Sequence, residues 1–290
     1  MSSYTLGVIT KEDPGHVTIR DIKVLTETEL VDFESSQTEM QKFAVDERTM
    51  LMVLQNYQEF RVLIDGIIQQ WKIEKRMDPL ILENIYMEIN RSMINILATF
   101  SSYLNLTERK LKDQENGEEI AKRFKEACSR AYDNHFSYRF LYQLRNYSQH
   151  YELPVGNIRP SQHLDSNGEQ QYSLGVMFHR DSLLQTDYDW KKLRPEIENL
   201  DQNFDVLPLL EELVNCIFEI DNIVTEGRLV AIQSSYMYFE GLLSDIADVE
   251  GTPCIYLVEG DDATPSIKIM HIPFHVIEII RLLVKENPNP

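Results

Sequence analysis

The chain opens with alternation. Tyr4, Leu6 and Val8 alternate with smaller or polar residues, and Asp13-Pro14-Gly15 marks a turn before Val17-Thr18-Ile19, so an N-terminal β-hairpin is predicted. Glu27 to Gln41 reads as a polar, acidic connector. From Asp46 the period changes. Met50, Val53, Leu54, Tyr57, Phe60, Ile64, Ile67, Ile68 and Trp71 recur in steps of three and four, the stripe of an amphipathic helix. Asp46 is placed to cap its start, and Lys72, Lys75 and Arg76 suit the negative end of its dipole. Asp78-Pro79 restarts the chain as cap and first helical residue, and Leu82, Ile85, Tyr86, Ile89, Met93, Ile96, Leu97, Phe100 and Leu104 form a second stripe.

Asn116-Gly117 breaks this pattern. A third helix is predicted through Ile120, Ala121, Phe124, Cys128 and Ala131, and a fourth through Phe136, Phe140, Leu144 and Tyr147, ending before Pro154. The join between them is weakly marked, so one bent helix fits the pattern as well as two. Tyr172, Leu174, Val176 and Phe178 then alternate with Ser173, Gly175 and Met177, the mark of a half-buried strand. A long helical region returns with Leu210, Leu213, Val214, Ile217, Ile220 and Val224 and extends toward Ile246, with Gly227 as a candidate kink. Cys254–Val258 and Ile267–Ile272 flank Gly260-Asp261-Asp262 as a hairpin, and a short helix begins near Phe274.

The expected fold is mainly α, a helical bundle with small β-hairpin additions at the N-terminus, the middle and the C-terminus. It divides into a β/loop segment (1–45), a helical core (46–152), a β/loop insertion (153–203), a long helical region packing on the core (204–247), and a β-hairpin with the C-terminal helix (248–290).

Composition changes the picture through charge. Hydrophobic residues make up 43% and charged ones 26%, which suits a folded chain, but 47 acidic against 28 basic residues gives a net charge of −19. Such a field repels phosphates, so generic adhesion to nucleic acid or anionic lipid is excluded and any nucleic-acid contact needs a local basic patch. Three widely spaced cysteines, no basic-then-apolar leader and no apolar run near the ~18 residues of a bilayer span point to a cytoplasmic protein without a membrane partner. The charge is also uneven. Residues 196–262 carry sixteen acidic side chains and one basic one, Arg228. Nothing between Asp133 and Glu152 is acidic, and that window interleaves His135, Arg139, Arg145 and His150 with Phe136, Tyr138, Phe140, Tyr142, Tyr147 and Tyr151. Basic and aromatic residues in alternation are what a single-stranded RNA contact requires.

Within that window, Leu144-Arg145-Asn146-Tyr147-Ser148-Gln149-His150-Tyr151 resembles the signature of the HEPN superfamily of all-α ribonucleases and their inactive relatives. That signature is an Arg, commonly followed by a polar residue, with a His five to seven positions after the Arg, near the end of a bundle helix. Arg145, Asn146 and His150 match it one by one. The spacing recurs at Arg130 and His135, where Ala131 takes the polar position. The resemblance covers residues 46–152, with or without the helix after 206, and leaves the β segments unexplained.

It implies a metal-independent endoribonuclease, without cofactor, in which the RNA 2′-hydroxyl is the nucleophile. Histidine titrates near neutrality, which makes His150 the acid–base group, and Arg145 offers a planar fork for phosphate oxygens. Asn146 is placed to position the phosphate or the histidine. Arg145 and His150 lie about 140° apart on one helix, so a single helix does not aim both at one point. The family resolves this by dimerising, which implies a homodimer here. Arg139, Tyr142 and Gln149 are candidate RNA contacts, whereas Tyr147 falls on the apolar side with Phe140 and Leu144. On this reading the acidic region from Glu196 onward either limits indiscriminate RNA binding or docks a basic regulator, so a neutralising antitoxin or another basic protein is a candidate partner.

A different class of function also fits the charge: a non-catalytic module whose acidic surface binds a basic partner or mimics nucleic acid. No site for a metal is expected. His271-x-x-x-His275 is interrupted by Pro273 and lacks the glutamate of a zinc-protease motif, and the cysteines have no paired spacing.

Overall fold

A computed structural model describes residues 3–13, 16–74, 78–114, 117–259 and 266–286. In chain order the elements are β1 (Thr5–Asp13), β2 (His16–Val24), α1 (Glu27–Glu74), α2 (Pro79–Asp113), α3 (Glu118–Asn134), α4 (Phe136–His150), β3 (Asn157–Leu164), β4 (Gln170–His179), α5 (Arg180–Gln185), α6 (Arg194–Glu198), β5 (Asn203–Asp205), α7 (Val206–Ser244), β6 (Thr252–Glu259), β7 (Ser266–His271) and α8 (Phe274–Glu286). The fold is mainly helical with two small antiparallel sheets. Among the described residues, no helix is long and apolar enough to cross a membrane. Pro14, Gly15, Lys75, Arg76, Asn116 and Gly260-Asp261-Asp262, predicted as turn or helix-end residues, lie outside the described residues.

The chain divides into two compact units, Met1–Glu47 with Thr225–Pro290 and Arg48–Val224. The second contains α2, α3 and α4, the sheet β3-β4-β5, and segments of α1 and α7. Asp78 caps α2 as the sequence predicts, accepting from the Leu80 N–H at 2.8 Å, with Pro79 at the first helical position. The α2 stripe is buried from Ile85 to Leu111. The α3–α4 join is a real break: His135 takes an extended backbone between the two helices. Strand β4 alternates as predicted, and Leu174, Val176 and Phe178 join Phe100, Phe140, Leu144, Trp190, Leu213 and Ile217 in one core.

The other unit differs from the sequence reading in two ways. The connector Glu27–Gln41 is helix. Thr26 Oγ1 accepts from the Glu29 N–H and the Glu29 carboxylate accepts from the Thr26 N–H, a reciprocal capping box that starts α1 well before Asp46. Its stripe is thin, with Phe33, Met40 and Phe43 buried and Ser36 between them. The two terminal hairpins also form one sheet, ordered β2-β1-β6-β7, through antiparallel pairing of Thr5–Ile9 with Thr252–Tyr256. Gly251 has φ +129° and a Cβ there would lie 2.6 Å from the Ile9 carbonyl oxygen, so glycine lets the chain enter β6 against β1. Helix α7 runs through Gly227 unbroken. The segments 1–45 and 248–290, read as separate additions, thus share a core of Leu6, Phe33, Ile255 and Ile277, with Phe239 of α7.

Candidate functional site

Helix α4 carries the sequence-predicted site. Its inner face, Tyr138, Phe140, Leu141, Leu144 and Tyr147, is buried, and Phe140 stacks on Phe136 at 5.3 Å and on Trp190 at 5.7 Å. Tyr147 is therefore a core residue. The loop after α4 is held by α2. Asn90, only 1% exposed, accepts the Val155 N–H through Oδ1 at 2.9 Å, and the Tyr86 hydroxyl donates to the Val155 carbonyl at 2.8 Å.

Arg145 is half-buried. Its Nη1 donates to Asn146 Oδ1 at 3.0 Å, and its Nε is shielded from solvent with no hydrogen-bond partner. It makes no ion pair among the described residues. Asn146 is also half-buried and lies beside the Tyr188 hydroxyl, which donates to Gln143 at 2.9 Å. Burial raises the Tyr188 phenol above its ordinary range, so that hydroxyl stays protonated. His150 is the last residue of α4 and is exposed, as is its neighbour Gln149.

The other predicted contacts divide. Tyr142 is 40% exposed, meets Phe100 and Tyr132 edge to face, and borders a groove of about 520 Å³ between α2, α3 and α4. Arg139 is not a free cation. Its side chain is 17% exposed and grips Glu196 with Nε and Nη2, while Nη1 donates to the carbonyls of Tyr132 (2.9 Å) and Asp133 (3.2 Å). These bonds commit Arg139 to joining α4, the end of α3 and α6, so it is withdrawn as an RNA contact. The second motif match is committed as well. His135 Nδ1 lies 2.8 Å from Glu212, and Ser137 Oγ donates to the same carboxylate at 2.5 Å. The Ser137 and His135 hydrogen bonds hold the Glu212 carboxyl below the usual carboxylate range.

The acid-free window of the sequence is thus not acid-free in space: Glu196 and Glu212 arrive from distant elements and take up its N-terminal half. In the C-terminal half, from Arg145 to His150, Arg145 has no ion-pair partner among the described residues. The acidic region is partly self-satisfied too. Glu198 pairs with Arg194, Asp221 accepts from the buried Tyr103 hydroxyl at 2.8 Å, and Glu240 pairs with Arg281. Arg228, the lone cation there, is buried and paired with Glu47.

Sequence reasoning passed over His179 and Ser182. The His179 ring caps α5, with Nδ1 3.2 Å from the Ser182 N–H and 3.1 Å from its hydroxyl. Their i,i+3 spacing at a strand-to-helix junction was the available signal.

Compared with protein-family models, curated proteins and solved structures, the chain finds no match.

Proposed function

We propose that the protein is a metal-independent endoribonuclease of the HEPN type, acting on cellular RNA as a homodimer in a toxin or antiviral role. One observation carries this reading. Half-buried Arg145 has a shielded, unpartnered Nε and no ion pair among the described residues, and its side chain donates to Asn146, near the end of the helix that places His150 in solvent. A shielded N–H without a partner has lost its hydration without a replacement, and a guanidinium with no carboxylate beside it keeps its charge for an anion.

The chemistry follows from the side chains. The RNA 2′-hydroxyl attacks the adjacent phosphorus and loses its proton, while the bond from phosphorus to the 5′-oxygen breaks and that oxygen is protonated. The products are a 2′,3′-cyclic phosphate and a 5′-hydroxyl. His150 moves the proton, and the Arg145 fork donates to the phosphate oxygens that gain charge in the transition state. The roughly 140° between the two side chains on one helix is the reason for pairing the motifs of two protomers across a cleft.

The acidic-module alternative has less support, since Glu196, Glu198, Glu212, Asp221 and Glu240 already have partners within the chain. Incubating the pure protein with total RNA and defined tRNA in excess chelator tests the proposal. Wild type is expected to cleave and His150→Ala, purified identically, is not. Equal cleavage by both moves the chemistry away from His150.

A further inference from the structure

Beside the end of α4, a cavity of about 350 Å³ opens in the unit Arg48–Val224, with Glu152, Tyr147, Tyr86, His179, Ser182 and Leu183 on its walls. That volume sits at the lower end of ligand pockets, ~300–1,000 Å³. We propose that it is a base-binding subsite for guanine in the RNA substrate, which rests on the ribonuclease reading above.

Position is the first argument. Tyr147 and His150 are three residues apart on α4 and so are neighbours on its surface, while Glu152 follows His150 by two residues. Tyr151, between His150 and Glu152, is 41% exposed and stacks parallel on Tyr147, with ring centroids 5.7 Å apart. A nucleotide bound at His150 thus has an aromatic ring and a cavity within one nucleotide's reach, and unstacked RNA bases are held on such rings.

Hydrogen-bond polarity is the second argument. The Ser182 N–H donates to His179 Nδ1, so the neutral ring carries its proton on Nε2, which has no partner among the described residues. His179 lines the cavity, and its Nε2–H is the ring's free donor. Glu152 is exposed and offers a carboxylate acceptor. The loop wall closes tightly on the histidine, because a Cβ at Gly156 would fall 2.9 Å from His179 Cβ. A donor and a carboxylate lining one cavity complement guanine, which presents O6 and N7 as acceptors and N1–H and N2–H2 as adjoining donors. Adenine sets its N1 lone pair against the carboxylate, and pyrimidines lack guanine's paired donors beside its acceptors. A site built on such polar groups rejects the base that leaves them unpaired.

The test titrates 3′-GMP, 3′-AMP and 3′-UMP into the full chain by calorimetry and adds each to the RNA cleavage assay. 3′-GMP is expected to bind at least tenfold tighter than the others and to compete with RNA. Glu152→Gln, a change at an exposed side chain, should erase that preference, and His179→Ala, which removes the ring donor, should weaken 3′-GMP selectively. Equal affinities, no binding, or an unchanged preference in Glu152→Gln overturns the proposal. So does tight 3′-GMP binding that leaves RNA cleavage untouched, which identifies a free nucleotide as the ligand. His150-dependent cleavage without guanine preference leaves the nuclease reading standing and removes this one. Glu152-dependent guanine binding without any cleavage supports the pocket and removes the nuclease reading.

Discussion

The Arg145 guanidinium donates to Asn146 Oδ1 across 3.0 Å and makes no ion pair with any described carboxylate. Adjacent residues on one helix point about 100° apart, so the contact folds the arginine sideways along the surface of α4. A cation held by a neutral amide keeps its full charge for another partner. On the proposed reading, the position serves binding rather than stability.

Arg145→Ala is therefore expected to change the unfolding free energy by less than about 1 kcal/mol, since no ion pair is lost. Cleavage should fall about 10²–10³-fold, the cost of removing a transition-state donor. Denaturant melts and single-turnover cleavage on one preparation check both. A large loss of stability with intact cleavage would make Arg145 structural.

Arg139 predicts the reverse. Its side chain is mostly buried against Glu196 and two carbonyls, and the carboxylate raises the guanidinium above its already high range. Arg139→Ala should cost about 1–3 kcal/mol, reduced from a fully buried pair because Glu196 remains partly solvated. Glu196→Gln should cost less than Arg139→Ala, and the double variant less than the sum. RNA affinity should not change. A loss of RNA affinity at unchanged stability would return Arg139 to the binding surface.

Asn90 links the packing of α2 to the end of α4. Asn90→Leu leaves the buried Val155 N–H without its acceptor, for about 1–3 kcal/mol. It also frees the loop that follows His150, so amide exchange at Val155 should accelerate beyond what the global loss of stability explains. Unchanged exchange there would mean that the loop is held by other contacts.

Much of this arrangement is legible in the sequence, and the omissions have physical causes. The stripes of α2 and α4 and the alternation of β4 are dense in apolar residues, so period alone reveals them. The first part of α1 is not, because Phe33, Met40 and Phe43 are separated by Ser36 and by charged residues. Thr26-x-x-Glu29 was its legible signal. The β1–β6 pairing joins residues separated by nearly the whole chain, which no local period encodes. The commitment of Arg139 and His135 was hidden for the same reason: Glu196 and Glu212 lie far along the chain, so the count of acids between Asp133 and Glu152 missed them. Arg145, Asn146 and His150 were visible as a motif. The lack of an ion-pair partner for Arg145 was not.

The Glu212 carboxyl gives a pH prediction. Its pKa is depressed in the folded protein by Ser137 and His135, so folding is favoured above the ordinary ~4.3 of an unfolded glutamate and that gain is lost as pH falls through the lower folded value. Between pH 5 and pH 3, wild type should lose more stability than Glu212→Gln, read from denaturant midpoints at each pH. Parallel losses would show that the carboxylate contributes nothing to acid stability.

The central claim is a transesterification at Arg145 and His150, and the ends of the cut RNA test it most directly. A single end-labelled RNA, cleaved in excess chelator and analysed at both new termini, should carry a 2′,3′-cyclic phosphate and a 5′-hydroxyl, with no product from His150→Ala. A 5′-phosphate with a 3′-hydroxyl, or the same products from His150→Ala, would contradict it.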